Sequence, residues 1–199
     1  MHKVLLNDVY SLQGVCMLRA NVVKDMPQVD STSYVDPDAV IIGRVFIGAN
    51  CFIGAGVVIR ADRFSLEDES CSIIIGDGSV IQDVAVLHAH TETAIHVGSG
   101  SIINHGAVIH GPATVGDNCF IGCKAILHYA HIGNNVFVRS NCVVESVTIP
   151  SDCFIEIGSC ITQQQDVDRL RQITVEEEKF MRRAVGESRD YPIRYKFSL

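Results

Sequence analysis

An aliphatic side chain returns every sixth residue along most of this 199-residue chain. Val35, Ile41, Ile47, Ile53 and Ile59 open the series, which resumes at Ile75, Ile81 and Leu87 and again from Val97 through Ile103, Ile109, Val115 and Ile121 to Leu127. One-residue slips lead on to Ile132, Val138 and Val144, then to Ile149, Ile155 and Ile161. Four positions after the aliphatic residue the side chain is nearly always small: Ala39, Ser79, Ala85, Ser101, Ala107, Ala125 and the cysteines Cys51, Cys119, Cys142 and Cys153. A period of six matches neither the 3.6 of a helix nor plain alternation. It fits a short strand plus a turn, stacked rung on rung into a parallel β-helix. One aliphatic and one small residue per hexapeptide then point inward, and Gly or Asn at the corners admits positive φ.

Composition agrees with a mainly β fold. Hydrophobic residues make up 47% while aromatics make up 7% and Trp is absent, so the apolar content is Val, Ile, Leu and Ala rather than bulky rings. None of the eight cysteines forms a C-x-x-C pair, and a chain this long needs no covalent staples. Four of them are read as inward fillers that stay free, since two coils, ~9.6 Å, separate Cys119 from Cys153. The pattern resembles the hexapeptide-repeat, left-handed parallel β-helix proteins, in which three hexapeptides complete a triangular coil. That resemblance implies the left hand and a homotrimer; the crossover rule alone predicts the opposite hand.

One domain is expected over 1–199: an N-terminal cap at 1–33, the β-helix at 34–162, and a C-terminal helix and tail at 163–199. Thr174-Val175-Glu176-Glu177 matches a capping box, and Phe180, Met181, Ala184 and Val185 make an apolar stripe. A helix over 174–186 docked on one prism face follows. Two insertions interrupt the repeat, ten residues between Ile59 and Ile75 and four between Leu87 and Val97. A net charge of -7 without a basic run argues against nucleic acid and anionic membrane as partners. No stretch reaches the ~18 apolar residues of a membrane span. Asn7 and Asp8 interrupt the place where an export signal needs an apolar run, so a cytoplasmic protein is expected.

The histidines fall in register with the repeat. Leu87, Ile109 and Leu127 lie one coil apart once the second insertion is looped out, so His88, His110 and His128 form a column with Arg60 one coil below. Imidazoles stacked about 4.8 Å apart can share one metal ion at ~2.0 Å each. His105 belongs to the preceding face, above Asp83, and Asn104 stands above Gln82. A carboxylate or amide beside a liganding His fixes its tautomer and orientation. In a trimer, a neighbouring chain can present His105 to the column.

The segments Arg60-Ala61-Asp62, Ile81-Gln82-Asp83, Leu87-His88 and Asn104-His105-Gly106-Ala107-Val108-Ile109-His110-Gly111-Pro112-Ala113 resemble the γ-class carbonic anhydrases. So do Val115-Gly116-Asp117-Asn118-Cys119-Phe120-Ile121-Gly122 and Thr162-Gln163-Gln164-Gln165. The likeness is greatest to the archaeal branch and to the anhydrase-like domains of carboxysome proteins, and it spans 34 to about 186. It implies His88, His105 and His110 as ligands of zinc, with iron or cobalt as alternatives, at each subunit interface of a homotrimer, the middle ligand coming from the neighbour. It implies Gln82 as hydrogen-bond partner of the metal-bound hydroxide, and Arg60, Asp62 and Asp83 as the interface network. The implied reaction is the reversible hydration of carbon dioxide to bicarbonate.

Three departures touch turnover. Arg63 stands where the family has an acid, Val80 where it has Asn, and Thr91 where it has the proton-carrying glutamate. Glu92 or His90 in the same loop is the candidate replacement, each able to exchange protons. Two further readings stay open: an inactive metal-binding trimeric subunit of a larger assembly, and a hexapeptide acyltransferase using one histidine as base.

Overall fold

The computed structural model describes residues 17–188 and 190–197. Three parallel sheets wrap one axis, two of eight strands and one of seven. Face one runs from Met17–Arg19 through Val58–Asp62, Val86–His90, Val108–His110, Ile126–His128 and Val143–Glu145 to Cys160–Ile161. Face two runs from Gln28–Val29 to Thr148–Ile149. Face three runs from Tyr34–Val35 to Cys153–Ile155 and gains one antiparallel strand, Arg171–Gln172. Most strands have two or three residues, so alternation within one strand carries little signal, and the repeat between strands carries it instead.

The inward columns are those that the period predicts. Ile41, Ile59, Leu87, Ile109 and Leu127 stack on face one with no exposed surface, as do Ile53, Ile81, Ile103 and Ile121 on face three. The small residues fill the corners: Ala39, Cys51, Ser79, Ala85, Ser101, Ala107 and Cys119 are fully buried. Buried serines find backbone partners, Ser79 Oγ donating to the Gly98 carbonyl at 2.7 Å and Ser101 Oγ to that of Gly116 at 2.8 Å. Among the described residues seven cysteines are free, and burial pushes the Cys119 thiol up to about 11.

Glycine serves two ends here. Gly56, Gly78, Gly100, Gly106 and Gly158 take positive φ, shared with Asn50, Asn118, Asn135 and Asn141, as expected of corners. The glycines that directly follow the inward aliphatic residue of a hexapeptide do not. At Gly116 a Cβ would lie 2.4 Å from Asn134 Oδ1 and 2.6 Å from the Gly133 backbone, so close stacking of rungs, not φ, excludes a side chain.

Strands at Met17–Arg19 and Gln28–Val29 pair in parallel with Val40–Ile42 and Val45–Ile47, so the coil reaches into the segment expected to be only a cap. A turn held by the Asn21 side chain, which accepts from Val23 N and Asp25 N at 3.1 and 3.0 Å, replaces the hexapeptide there and hides the period. The part of the cap at 1–16 lies outside the described residues.

After a short helix α1 (Gln164–Val167), helix α2 (Val175–Ser188) lies on face three with Met181 and Val185 buried against Phe137, Phe154 and Val80. The capping box forms: Thr174 N donates to Glu177 Oε2 at 2.8 Å and Glu177 N to Thr174 Oγ1 at 3.2 Å. The helix runs past the expected stop at Gly186, where nothing crowds the backbone, and a third helix, α3 (Tyr191–Phe197), sets Tyr191 and Tyr195 against Phe52. Among the described residues no helix is long and apolar enough to cross a membrane.

Candidate metal centre

Strand pairing places Arg60, His88, His110, His128 and Glu145 in one outward column on face one. The rings stand nearly perpendicular, 5.0 Å between the centroids of His88 and His110 and 5.1 Å between those of His110 and His128. Beside this column runs a second outward one, Val58, Val86, Val108, Ile126 and Val143, an aliphatic stripe on the open face.

The extra length of Val58–Asp62 and Val86–His90 lets Asp62 pair with His90 and brings its carboxylate back over the column. Asp62 Oδ2 lies 2.9 Å from His88 Nε2 and accepts from Arg60 Nε at 2.8 Å. The Arg60 guanidinium, which only donates, reaches the same Nε2 with Nη2 at 3.1 Å, so Asp62 and Arg60 both address that nitrogen and together orient the ring. In His110 the contact is to the other nitrogen. Nδ1 lies 3.1 Å from its neighbour Gly111's carbonyl, so Nε2 holds the lone pair. Burial holds His110 below the ordinary 6.5, opposed by the Gly111 carbonyl and reinforced by His88, His128 and His90. A neutral imidazole is the form that binds metal.

His105 sits on the corner before face one, half exposed, with Nδ1 3.6 Å from Asp83 Oδ2. The other oxygen, Asp83 Oδ1, accepts from Ala55 N at 3.1 Å. Asp77 and Asp117 accept from Ala49 N and Ser99 N in the same way at corners without histidines, so this half of Asp83 is scaffold. Gln82 is half-buried, and its amide makes no side-chain hydrogen bond among the described residues.

His88 and His110 are thus brought together and His105 is not. Among the described residues of one chain no group of three or more potential ligands converges. His88 and His110 supply two imidazole donors side by side, one short of the three protein ligands that a catalytic metal site takes.

The loop residues divide. His90 leans on His110 at 5.4 Å between ring centroids, with Nδ1 2.9 Å from the Thr91 carbonyl and Nε2 3.4 Å from the Tyr129 hydroxyl. Glu92 is exposed; its backbone N–H donates to Asp68 Oδ2 at 2.8 Å, and its carboxylate has no partner among the described residues. Two neighbours escaped the sequence reading. Glu145 Oε1 lies 3.0 Å from His128 Nδ1, and the Tyr129 ring stands edge-on to His128 at 4.7 Å. Carrying the column one rung beyond His128 finds Glu145; Tyr129 has no signal in the repeat.

The three departures have distinct surroundings. Arg63 is buried and pairs with Asp25 at 3.2 Å, away from the histidines. Val80 lies under α2. Thr91 Oγ1 donates to the Asp62 carbonyl at 3.1 Å, a link between the two long strands rather than a proton carrier.

Comparison with known proteins agrees with the repeat and the coil. A family model for the hexapeptide repeat of succinyl-transferase matches residues 40–82, 112–127 and 129–163. A carbonic anhydrase of Methanosarcina thermophila is 34% identical over 74% of this chain and 65% of its own length. The carboxysome assembly protein CcmM of Nostoc sp. is 34% identical over 80% of this chain and 29% of its own. The chain therefore spans less than two thirds of these relatives. A crystal structure of a hexapeptide transferase family protein from Anaplasma phagocytophilum superposes with a TM-score of 0.75 at 24% identity, covering 90% of this chain and 98% of that one, which is a likeness of fold. Repeat, register and sequence likeness agree on a hexapeptide-repeat parallel β-helix that is similar in sequence to a carbonic anhydrase and to carboxysome assembly proteins.

Proposed function

We propose that this protein is a homotrimer that hydrates carbon dioxide reversibly at three metal centres, each shared between two chains. The observation that carries the reading is the division of the histidines: two in register on face one, the third on a corner that its own chain cannot bring to them. His88 and His110 of one chain and His105 of the next would hold zinc, with iron or cobalt as alternatives. Three imidazoles leave such an ion an open position and bring the pKa of a bound water from 15.7 to about 7.

The chain's own residues do the rest. Arg60 and Asp62 fix the His88 ring, so that it does not have to be ordered when the site assembles. Asp83, 3.6 Å from the His105 ring, is placed to orient it once a second copy closes on the corner, and the unengaged Gln82 amide would orient the attacking oxygen. The aliphatic stripe beside the column suits an uncharged substrate and repels the bicarbonate product. Hydration releases one proton per turnover, and of the two loop candidates His90 is the one that lies against His110.

Metal analysis of purified protein, followed by a stopped-flow hydration assay, tests this. His110→Ala should lose the metal and the activity together, because two ligands make a poor site. Gln82→Ala should keep the metal and turn over about 10- to 100-fold more slowly, the effect of losing one orienting partner beside the metal. Metal-replete wild type no faster than buffer would reject the enzyme reading. The second reading, an inactive metal-binding subunit of a larger assembly, is favoured by the scaffold roles of Arg63 and Thr91, and predicts that outcome.

A further inference from the structure

The corner between faces three and one is built from one residue per rung: Gly56, Val84, Gly106, Lys124, Asn141 and Gly158, each with positive φ. Left-handed backbone is open to Gly and tolerable for Asn, but it crowds a β-branched side chain. Val84, with φ of 54°, is the one β-branched residue in that conformation among the described residues. It is also 60% exposed, so strain and hydration both count against it within its own chain. A glycine would remove both penalties, and the repeat supplies glycine on the rungs directly below and above. The position is not arbitrary: Val84 follows Gln82 and Asp83, stands one rung below His105, and leads into the strand that carries His88.

We propose that Val84 is a positioning residue that seats a second copy of this chain: its isopropyl group packs on the aliphatic stripe of that copy's face one and so brings His105 to the facing histidine column. The occupant is a second copy because the corner carries one ligand of a set whose other two stand beside a half-buried aliphatic stripe with Ile126 exposed, so the same contact that joins the ligands buries Val84. The inference rests on the shared-site reading above and adds the residue that fixes the approach. The strain is local to the chain and the return is in the assembly.

Val84→Gly and Val84→Ile separate the two. The measurements are the concentration at which the oligomer dissociates, by sedimentation, and metal bound per chain at low protein concentration. Val84→Gly should dissociate at a concentration at least tenfold higher and hold less metal when dilute, while Val84→Ile stays close to wild type. Diluted until both are dissociated, Val84→Gly should unfold at a urea midpoint no lower than wild type, since the substitution relieves strain; a merely structural residue would lower it. Unchanged assembly and metal content in Val84→Gly, with wild type an oligomer that holds metal, would overturn this inference and leave the site reading standing. A wild-type chain that neither assembles nor binds metal would overturn both.

Discussion

Arg63 turns its guanidinium inward, where its side chain is 8% exposed, and pairs with Asp25 while Nε donates to the Ser65 carbonyl at 2.9 Å. It ties the Asn21–Asp25 turn to the first insertion, so an exchange that from sequence alone touches turnover proves to be a structural pin. Removing the acid leaves a buried cation short of its counter-charge. Asp25→Ala should therefore lower stability by about 3 kcal/mol in urea titration, and the double change with Arg63→Met should recover part of the loss, since neither charge is then left alone. No change in either variant would contradict the pin. Much at this scale was legible beforehand, because the six-residue register alone ranks Arg60, His88, His110 and His128 in one column. The contacts that orient them were not. Asp62 reaches His88 only because two strands run on past the corner, and a period counts rungs without reporting strand length.

Helix α2 shows the reverse balance. Its capping box and apolar stripe were readable, and its docking on face three follows from the row Phe52, Val80, Ile102, Phe120, Phe137 and Phe154 that this face turns outward. Thr174→Ala should cost about 1 kcal/mol, seen as a lower thermal midpoint. Glu177 is held at about 2, first by the hydrogen bond from Arg171 and then by Thr174, against an ordinary 4.5. A lowered folded pKa gives stability that is present above 4.5 and drains away as pH falls towards 2. Wild type should exceed Glu177→Gln in midpoint at pH 6 and converge with it near pH 2; a gap that persists at pH 2 would point to packing instead. Helix α3 was not readable, because its tyrosines meet Tyr34 and Phe52 only after the coil has brought that corner under the tail. The first rung was hidden for the opposite reason: a side-chain-held turn stands where a hexapeptide would mark it.

For the whole molecule, the coil acts as a ruler. Rungs ~4.8 Å apart hold His88 and His110 at the spacing of two ligands on one ion, and a stacked core of fully buried Ile and Leu keeps that spacing fixed. The same rigidity prevents one chain from bending His105 around its corner. Face three is closed by α2, whereas face one keeps its aliphatic stripe and histidine column open, so the site and the surface that would complete it lie together. On the proposed sharing of the site, assembly and metal binding become one event, as ligands supplied from two chains would make the ion a part of the interface.

Mixing chains tests this central claim most directly. His105→Ala keeps the column and loses the corner; His110→Ala keeps the corner and loses half the column. Each variant alone should bind no metal at micromolar protein. Unfolded together and refolded as a mixture, they should regain it, with about one intact site in each mixed trimer, because a closed threefold ring places one good column against one good corner. Metal retained by His105→Ala alone, or a refolded mixture as empty as its parents, would contradict a centre shared between chains.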